Sequence, residues 1–129
     1  MSTQTSLYIG LISGTSIDGV DAALVDFSSN QPKLLASHCH AVPPDLREAI
    51  KSLCTPSITS NEIDLLGETD RALGELFAEA SLALLEQASV LPGQVCAIGS
   101  HGQTIRHRPG NRGFTLQIAD PNILSLIHI

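Results

Sequence analysis

The segment LYIGLISGTSIDGVDAALVDF, residues 7–27, limits the possible folds of this chain more than any other. Its two apolar runs, Leu7–Ser13 and Val20–Phe27, have the aliphatic and β-branched composition of strands that lie inside a sheet. The residues between them are rich in glycine, hydroxyl and carboxylate groups, and they are more numerous than a tight hairpin requires. The segment therefore predicts two neighbouring strands joined by a loop that either only turns the chain or also holds a ligand.

A third strand follows, and then the periodicity changes to that of helices. Turn-forming residues 28–32 precede a predicted strand at Lys33–Val42, so three strands with short links predict an antiparallel meander. An apolar stripe at helical spacing predicts a short helix over residues 46–56. Residues 59–62, Thr-Ser-Asn-Glu, have the form of a capping box at the start of a long helix that runs to about Val90.

Two further strands complete the predicted order. Val95–Ser100 returns to strand character, and Phe114–Ile118 gives another short strand after a loop rich in glycine and arginine. A meander followed by a helical crossover into a further strand implies a mixed sheet covered by helices. The predicted class is therefore α/β.

Composition excludes several classes of protein. The 129 residues suffice for one modest domain, and with 3% aromatic residues and no tryptophan the core must be aliphatic. The net charge of −6 argues against binding to nucleic acid or to an acidic membrane surface. The start of the chain lacks the pattern of a secretory signal, and no run approaches the ~18 apolar residues that span a bilayer. Three widely spaced cysteines without a C-x-x-C pattern fit a reducing, cytoplasmic setting.

The loop between the first two strands carries the chemistry that suits a magnesium nucleotide. Glycines let the main chain approach an anion, and hydroxyls add donors. Asp18 and Asp21 would repel phosphate unless Mg²⁺ lay between them and the phosphates. A Walker A loop is excluded because Val20 stands where the lysine belongs. A glycine-rich turn with exposed polar residues remains the alternative.

Three segments resemble the N-terminal part of the anhydro-N-acetylmuramic acid kinases, which belong to the sugar-kinase, Hsp70 and actin superfamily. They are GLISGTSIDGVDAALVDF, AIGSHGQTIRHRP and TLQIADPNIL. The family's Ser-Gly-Thr-Ser-x-Asp-Gly-x-Asp segment occurs within Ile12–Asp21, and its Gly-x-His-Gly-Gln-Thr segment occurs at Gly99–Thr104. The resemblance runs from about Leu7 to Ile123. It implies the N-terminal lobe of an actin-like, ribonuclease H-like ATPase fold, with three antiparallel strands followed by a helical crossover.

The resemblance also implies a reaction and a site. The family uses ATP and Mg²⁺ to phosphorylate O6 of 1,6-anhydro-N-acetylmuramic acid while water opens the anhydro ring. The implied nucleotide-binding residues are Gly14, Thr15, Ser16, Ile17, Asp18, Gly19, Val20 and Asp21, with the two aspartates near the metal through water. The implied sugar-side residues, which follow the predicted strand Val95–Ser100, are His101, Gly102, Gln103 and Thr104. A homodimer of the full-length protein is a further implication.

Other charged residues are open to simpler interpretations. Without the resemblance, His101 is interpreted as a hydrogen-bonded structural histidine. Arg106, Arg108 and Arg112 are three of the seven lysine and arginine residues, gathered in one predicted loop that either attracts an anion or is simply solvated. The acidic residues of the long helix are expected to be solvated, and two strand histidines are expected to lack a carboxylate partner; these residues are Asp64, Asp70, Glu75, Glu79, Glu86, His38 and His40.

The end of the chain departs from the family pattern. Residues 1–123 are expected to form an incomplete N-terminal lobe, and residues 124–129, LSLIHI, a non-native tail. The family's catalytic aspartate lies in a later Asp-Thr-Gly-Pro-Gly-Asn segment that the printed sequence does not contain, so no catalytic residue is expected here. We expect these 129 residues alone neither to phosphorylate sugar nor to bind ATP tightly. Another sugar or carboxylate kinase of the superfamily, or a non-enzymatic nucleotide switch, is the alternative.

Overall fold

A computed structural model of the chain describes residues 6–56 and 61–127. The strands are β1 (Leu7–Ser13), β2 (Gly19–Asp26), β3 (Lys33–Ala41), β4 (Val95–Arg108) and β5 (Phe114–Ile118). The helices are α1 (Pro44–Cys54), α2 (Glu62–Ala88) and α3 (Pro121–Leu124), with single 3₁₀ turns at Pro92–Gln94 and Ser125–Ile127. In the described ranges no helix combines the length and the apolar character needed to cross a bilayer.

The strands form one mixed sheet in the order β3-β2-β1-β4-β5. β1 pairs antiparallel with β2, as β2 does with β3 and β4 with β5, whereas β1 and β4 are parallel. Parallel pairing needs a long crossover, and α1 and α2 supply it. The predicted α/β class with a mixed sheet and helices is confirmed.

The helices cover one face of the sheet, and the core lies between them. Side chains of alternate strand residues point to this face, as Ile9 and Leu11 do from β1 and Val20 and Leu24 from β2. Phe77 of α2 packs against them and is fully buried. In the described part of the chain the other face of the sheet carries no helix, and its residues are small or exposed. This face is therefore accessible to a ligand.

The long helix is shorter than predicted at its carboxyl end. It ends at Ala88 because Ser89 adopts the left-handed conformation, with φ of 55°, and donates its amide to the Glu86 carbonyl. At the other end, Thr59 and Ser60 of the predicted capping box lie outside the described residues. Asn61 is the N-cap and makes no side-chain capping bond.

Asp70 and Glu79 of α2 contact other elements of the fold, contrary to the expectation that they are simply solvated. The Asp70 carboxylate accepts a hydrogen bond from the Ala119 amide at 2.9 Å and so ties α2 to the segment before α3. Glu79 lies 3.4 Å from the His40 ring, which itself contacts His38 at 3.1 Å. The expectation of no carboxylate partner is therefore wrong for His40, because helical periodicity does not reveal which strand lies beneath the helix.

The fourth strand is longer than predicted, and this changes the place of the second motif. β4 continues from Ser100 to Arg108 because it changes its partner strand. Up to Gln103, which pairs with Ser13, it is paired with β1; from Gln103 onward, which also pairs with Ile118, it is paired with β5. Residues 101–104 therefore lie within the strand and do not follow its end. Gly102 allows the change, since its φ is 79° and an added Cβ would lie 2.6 Å from the Ile118 carbonyl oxygen.

The last described residues pack against α2. Asp120 caps α3 by accepting a hydrogen bond from the Asn122 amide, and Leu124 is buried in the core. His128 and Ile129 lie outside the described residues.

Candidate functional site

The loop after β1 presents unpaired donors to solvent. Thr15 and Ser16 are exposed, and across the described part of the chain neither their amides nor their hydroxyls have a hydrogen-bond partner. An added Cβ at Gly14 would meet nothing within 4 Å, so the main chain is open to a ligand at this point. These donors fit an anion, as the sequence predicts.

Ile17 gives this loop its shape; the resemblance places it among the nucleotide-binding residues, but the sequence did not indicate that its backbone is strained. Ile17 adopts the left-handed conformation with φ of 56°, a conformation that is a genuine outlier for a β-branched residue. Its amide donates to the Gly14 carbonyl at 3.2 Å, closing a turn. Its side chain is only 6% exposed, so burial anchors the turn from below and leaves residues 15 and 16 raised toward solvent.

The loop rejoins the sheet at a position where only glycine fits. An added Cβ at Gly19 would lie 2.7 Å from the Cys39 sulfur and 3.0 Å from the His40 carbonyl oxygen on β3. Val20, the next residue, is fully buried on the helix side of the sheet. Gly19 and Val20 therefore position the loop, and the buried side chain of Val20 is not available to a ligand.

Asp18 is held by an arginine that sequence reasoning missed. Arg47 of α1 lies 3.3 Å from the Asp18 carboxylate and donates to the Ser16 carbonyl at 3.5 Å. The Asp18 carbonyl in turn accepts from the Val42 amide at 3.3 Å. α1 thus begins against the loop and braces it from one side. No sequence signal singled out Arg47, because a lysine or arginine near the start of a helix is usually solvated.

Asp21 lies on the open face of the sheet beside β3. The pKa of the Cys39 thiol is raised above its usual value. The largest cause is its hydrogen bond with the Asp21 carboxylate, followed by desolvation and by the negative charges of Asp21 and Asp18. This part of the surface is therefore electronegative, which favours a cation. Among the described residues no three potential ligands come close enough to hold a metal by themselves. Two carboxylates fit Mg²⁺, which commonly keeps several waters and takes its other ligands from phosphates.

One residue of the second motif shares a groove with Asp21. His101 is exposed and lines an open groove of about 570 Å³ on the helix-free face, together with Asp21 and Cys39. The groove's floor includes Gly10 and Gly99, where the lack of side chains leaves room. In the described part of the chain the His101 ring makes no hydrogen bond, so nothing there supports a hydrogen-bonded structural histidine.

The other residues of the second motif are buried or half-buried. Gly102 and Gln103 are buried, and the Thr104 hydroxyl accepts a hydrogen bond from Gln117 at 3.0 Å. Gln103 is 1% exposed and bonds to Ser13 and to the Gly14 carbonyl. The structure thus brings the two motifs into contact, but it does so through a buried glutamine.

The three arginines do not gather in one loop. Arg106 lies on β4 and donates to the Leu53 carbonyl at 3.0 Å and to the Glu62 carboxylate at 3.1 Å, so it is neither solvated nor available to an anion. Arg108 also lies on β4, is exposed and donates to the carbonyl of the preceding residue. Arg112 alone lies in the turn, with φ of 61°. The prediction of a common basic loop is wrong because β4 extends further than its composition indicates.

Comparison with known proteins adds to this geometry. The profile of the family described as "Anhydro-N-acetylmuramic acid kinase" matches residues 6–127. The chain belongs to this family. A protein of that name from Shewanella halifaxensis is 56% identical over 123 residues, which are 95% of this chain and 33% of the relative. Relatives of the same name from Shewanella denitrificans and Shewanella baltica are 53% and 54% identical over 125 and 123 residues.

The match covers only part of these kinases. The chain spans about a third, 33%, of the length of the curated relatives it matches. The three segments that resemble the anhydro-N-acetylmuramic acid kinases all lie within the matched residues 6–127. The profile therefore covers both the exposed loop after β1 and the second motif on β4.

Proposed function

We propose that the full-length protein with this chain is an ATP-dependent kinase of 1,6-anhydro-N-acetylmuramic acid. It phosphorylates O6 with hydrolytic opening of the anhydro ring and yields N-acetylmuramic acid 6-phosphate, a step of peptidoglycan recycling. Family membership carries this proposal, since the matched profile and the relatives at 53–56% identity bear the name of this kinase. We further propose a cytoplasmic location and a homodimer.

We propose that residues 14–21 bind the phosphates of the nucleotide. Phosphoryl transfer depends on positioning and on neutralising charge around the transferred group. The unpaired amides and hydroxyls of Thr15 and Ser16 would hold phosphate oxygens, and Asp18 and Asp21 would hold Mg²⁺ through its waters. Bound Mg²⁺ supplies charge neutralisation at the phosphates. Ile17, Gly19 and Val20 shape this loop from its buried side.

We propose that the sugar lies against the second motif, with His101 as the exposed contact. The groove beside His101 also contains Asp21, so a sugar there would lie near the nucleotide's phosphates. Gly102 and Thr104 would support this surface from within the strand. No residue of this chain is assigned as the catalytic base.

We also propose that residues 1–123 form part of the N-terminal lobe of an actin-like ATPase fold, followed by a non-native tail at residues 124–129. The meander, the crossover helices and the parallel pairing of β1 with β4 support the lobe. The genomic reading frame after Ile123 tests the tail, and a natural continuation that encodes LSLIHI would contradict it.

Sugar-dependent release of ADP by the full-length protein tests the function. We expect the double variant Thr15→Ala/Asp18→Ala to lose at least about 100-fold in kcat/KM for ATP, because two groups that bind a charged ligand each contribute about 1.5–3 kcal/mol. The control is Asp26→Ala/Ser29→Ala, which likewise removes one carboxylate and one hydroxyl, at and just beyond the other end of β2. Activity of the Thr15/Asp18 variant equal to that of the control would contradict the phosphate-binding loop. Absence of any sugar-dependent ADP release by the parent would contradict the kinase.

A further inference from the structure

Gln103 has no free donor to offer a sugar. Its side-chain amide donates to the Gly14 carbonyl at 3.3 Å and to the Thr104 carbonyl at 3.2 Å, which uses both N–H groups. Its carbonyl oxygen accepts from the Ser13 hydroxyl. With 1% exposure the side chain also lies out of reach of a ligand in the groove.

Two of the three partners of Gln103 lie at the start of the loop after β1, and the third, the Thr104 carbonyl, lies on β4. Ser13 is the last residue of that strand, is 3% exposed and pairs with Gln103 in the parallel register. The Gly14 carbonyl also accepts the Ile17 amide at 3.2 Å, so one oxygen holds both the loop's own turn and the amide from β4. Both of its lone pairs are thereby used.

A buried polar network of this kind fixes geometry. If one member is removed, the others keep their desolvation cost and lose their partner, so the arrangement with every bond made is strongly favoured. Here the Gly14 carbonyl is held inward, toward β4, which leaves the amides of Thr15 and Ser16 on the outer side of the turn. The glutamine therefore acts on the donors that we assign to phosphate without touching a ligand itself.

We propose that Gln103 is a positioning residue that holds the Gly14–Ile17 turn in the shape that presents its donors, and that it does not contact the sugar. The nucleotide part of this inference rests on the proposed function, whereas the effect of Gln103 on the loop does not. The second motif would then serve two roles from one strand, with His101 toward the groove and Gln103 toward the loop.

The test replaces Gln103 in the full-length protein by Met, which is similar in volume and cannot make these hydrogen bonds. The matched control is Gln117→Met on β5, where the glutamine bonds to Thr104 and Thr115 and makes no contact with the loop. We expect faster hydrogen exchange in peptides that cover residues 14–19, and a KM for ATP about tenfold higher, because the loss of about 1.4 kcal/mol of binding corresponds to a factor of ten. The KM for the sugar is expected to change less than twofold.

Each alternative has a distinct outcome. A raised KM for the sugar with an unchanged KM for ATP would overturn the proposal in favour of a sugar contact. Unchanged exchange of residues 14–19 would overturn it in favour of simple packing. Faster exchange with an unchanged KM for ATP would support the positioning role and contradict instead the proposed nucleotide role of the loop. If Gln103→Met fails to fold, Ser13→Ala removes one of the three bonds, and the same shifts are expected at smaller size.

Discussion

At the scale of single residues, the loop after β1 is built from unlike contributions. Thr15 and Ser16 provide exposed donors, while Ile17 provides a buried anchor in a conformation that isoleucine rarely adopts. Asp18 is braced by Arg47, and Gly19 passes β3 at a distance that admits no side chain. The backbone strain at Ile17 is thus compensated by burial of its own side chain and by the contacts of the neighbouring residue Asp18.

Ile17→Gly should lower the free energy of unfolding by about 2 kcal/mol. Relief of the left-handed conformation returns about 1–2 kcal/mol, but the loss of the buried side chain costs about 2–5 kcal/mol. Ser89→Gly is the control, because Ser89 has nearly the same φ, 55°, and is exposed; it should be neutral to stabilising. Urea unfolding measures both, and an Ile17→Gly variant as stable as the parent would contradict the anchor.

Asp21→Asn should accelerate alkylation of Cys39. The hydrogen bond and the charge of Asp21 raise the pKa of the Cys39 thiol, so little of it is thiolate near neutral pH. Removal of that charge lowers the pKa, and the rate with iodoacetamide at pH 8 should rise several-fold, since one pKa unit changes the thiolate fraction by about tenfold.

Asp26→Asn is the matched control for this measurement. It removes a carboxylate from the same strand, at the position that pairs with Lys33 and far along the strand from Cys39. Both variants and the parent carry alanine in place of Cys54 and Cys96, so that only Cys39 reacts. Equal alkylation rates in the two variants would show that Asp21 does not raise the pKa of the Cys39 thiol.

At the scale of elements, α2 packs against both earlier and later parts of the chain. One of its faces covers β2 and β3, and its first half receives the segment before α3 through Asp70. Gly74 makes this second contact possible, since an added Cβ would lie 2.8 Å from the Asp120 carbonyl oxygen. Helix and segment are therefore packed at backbone distance.

Gly74→Ala should destabilise the chain by up to about 2 kcal/mol, because overpacking of the contact by the added methyl group costs about 1–3 kcal/mol and the helix preference of alanine returns about 1 kcal/mol. Gly67→Ala in the same helix is the control, since nothing lies within 4 Å of its added Cβ and the residue is exposed. That change should stabilise by up to about 1 kcal/mol. Thermal unfolding separates the two, and effects of the same sign would refute this docking contact.

At the scale of the whole molecule, a sheet with helices on one face sets the order of local stability. β1 lies in the centre of the sheet with hydrogen-bonded neighbours on both sides, and Ile9 and Leu11 are buried beneath α2. β5 lies at an edge, and several of its side chains are exposed. The candidate loop directly follows β1, the central strand, so its first residues are held by the most stable part of the sheet.

Native-state hydrogen exchange should therefore rank the strands. Amides of β1 and of the buried half of α2 are expected to exchange slowest, at a free energy close to that of global unfolding. Amides of β5 should exchange much faster, because local opening of an edge strand exposes little apolar surface. Protection of β5 equal to that of β1 would contradict this ranking.

Much of the fold was predictable from the sequence because it depends on local patterns. Apolar runs and their helical or strand periodicity located β1, β3, β5 and the long helix to within about two residues. The glycines, hydroxyls and carboxylates of residues 14–21 likewise marked the candidate loop, since their types alone define the chemistry they can offer. The features that were misplaced depend on partners distant in sequence: the end of β4, the surroundings of its arginines, and the contacts of His40, Asp70 and Glu79.

The tertiary structure decided which polar groups face a ligand and which face each other. His101 and Gln103 are two residues apart on one strand, yet one lines the groove and the other is sealed against Gly14. Arg47 reaches the loop only because α1 begins beside it. Residue type and spacing carry no information on such long-range contacts, because these depend on strand register and on which helix covers which face.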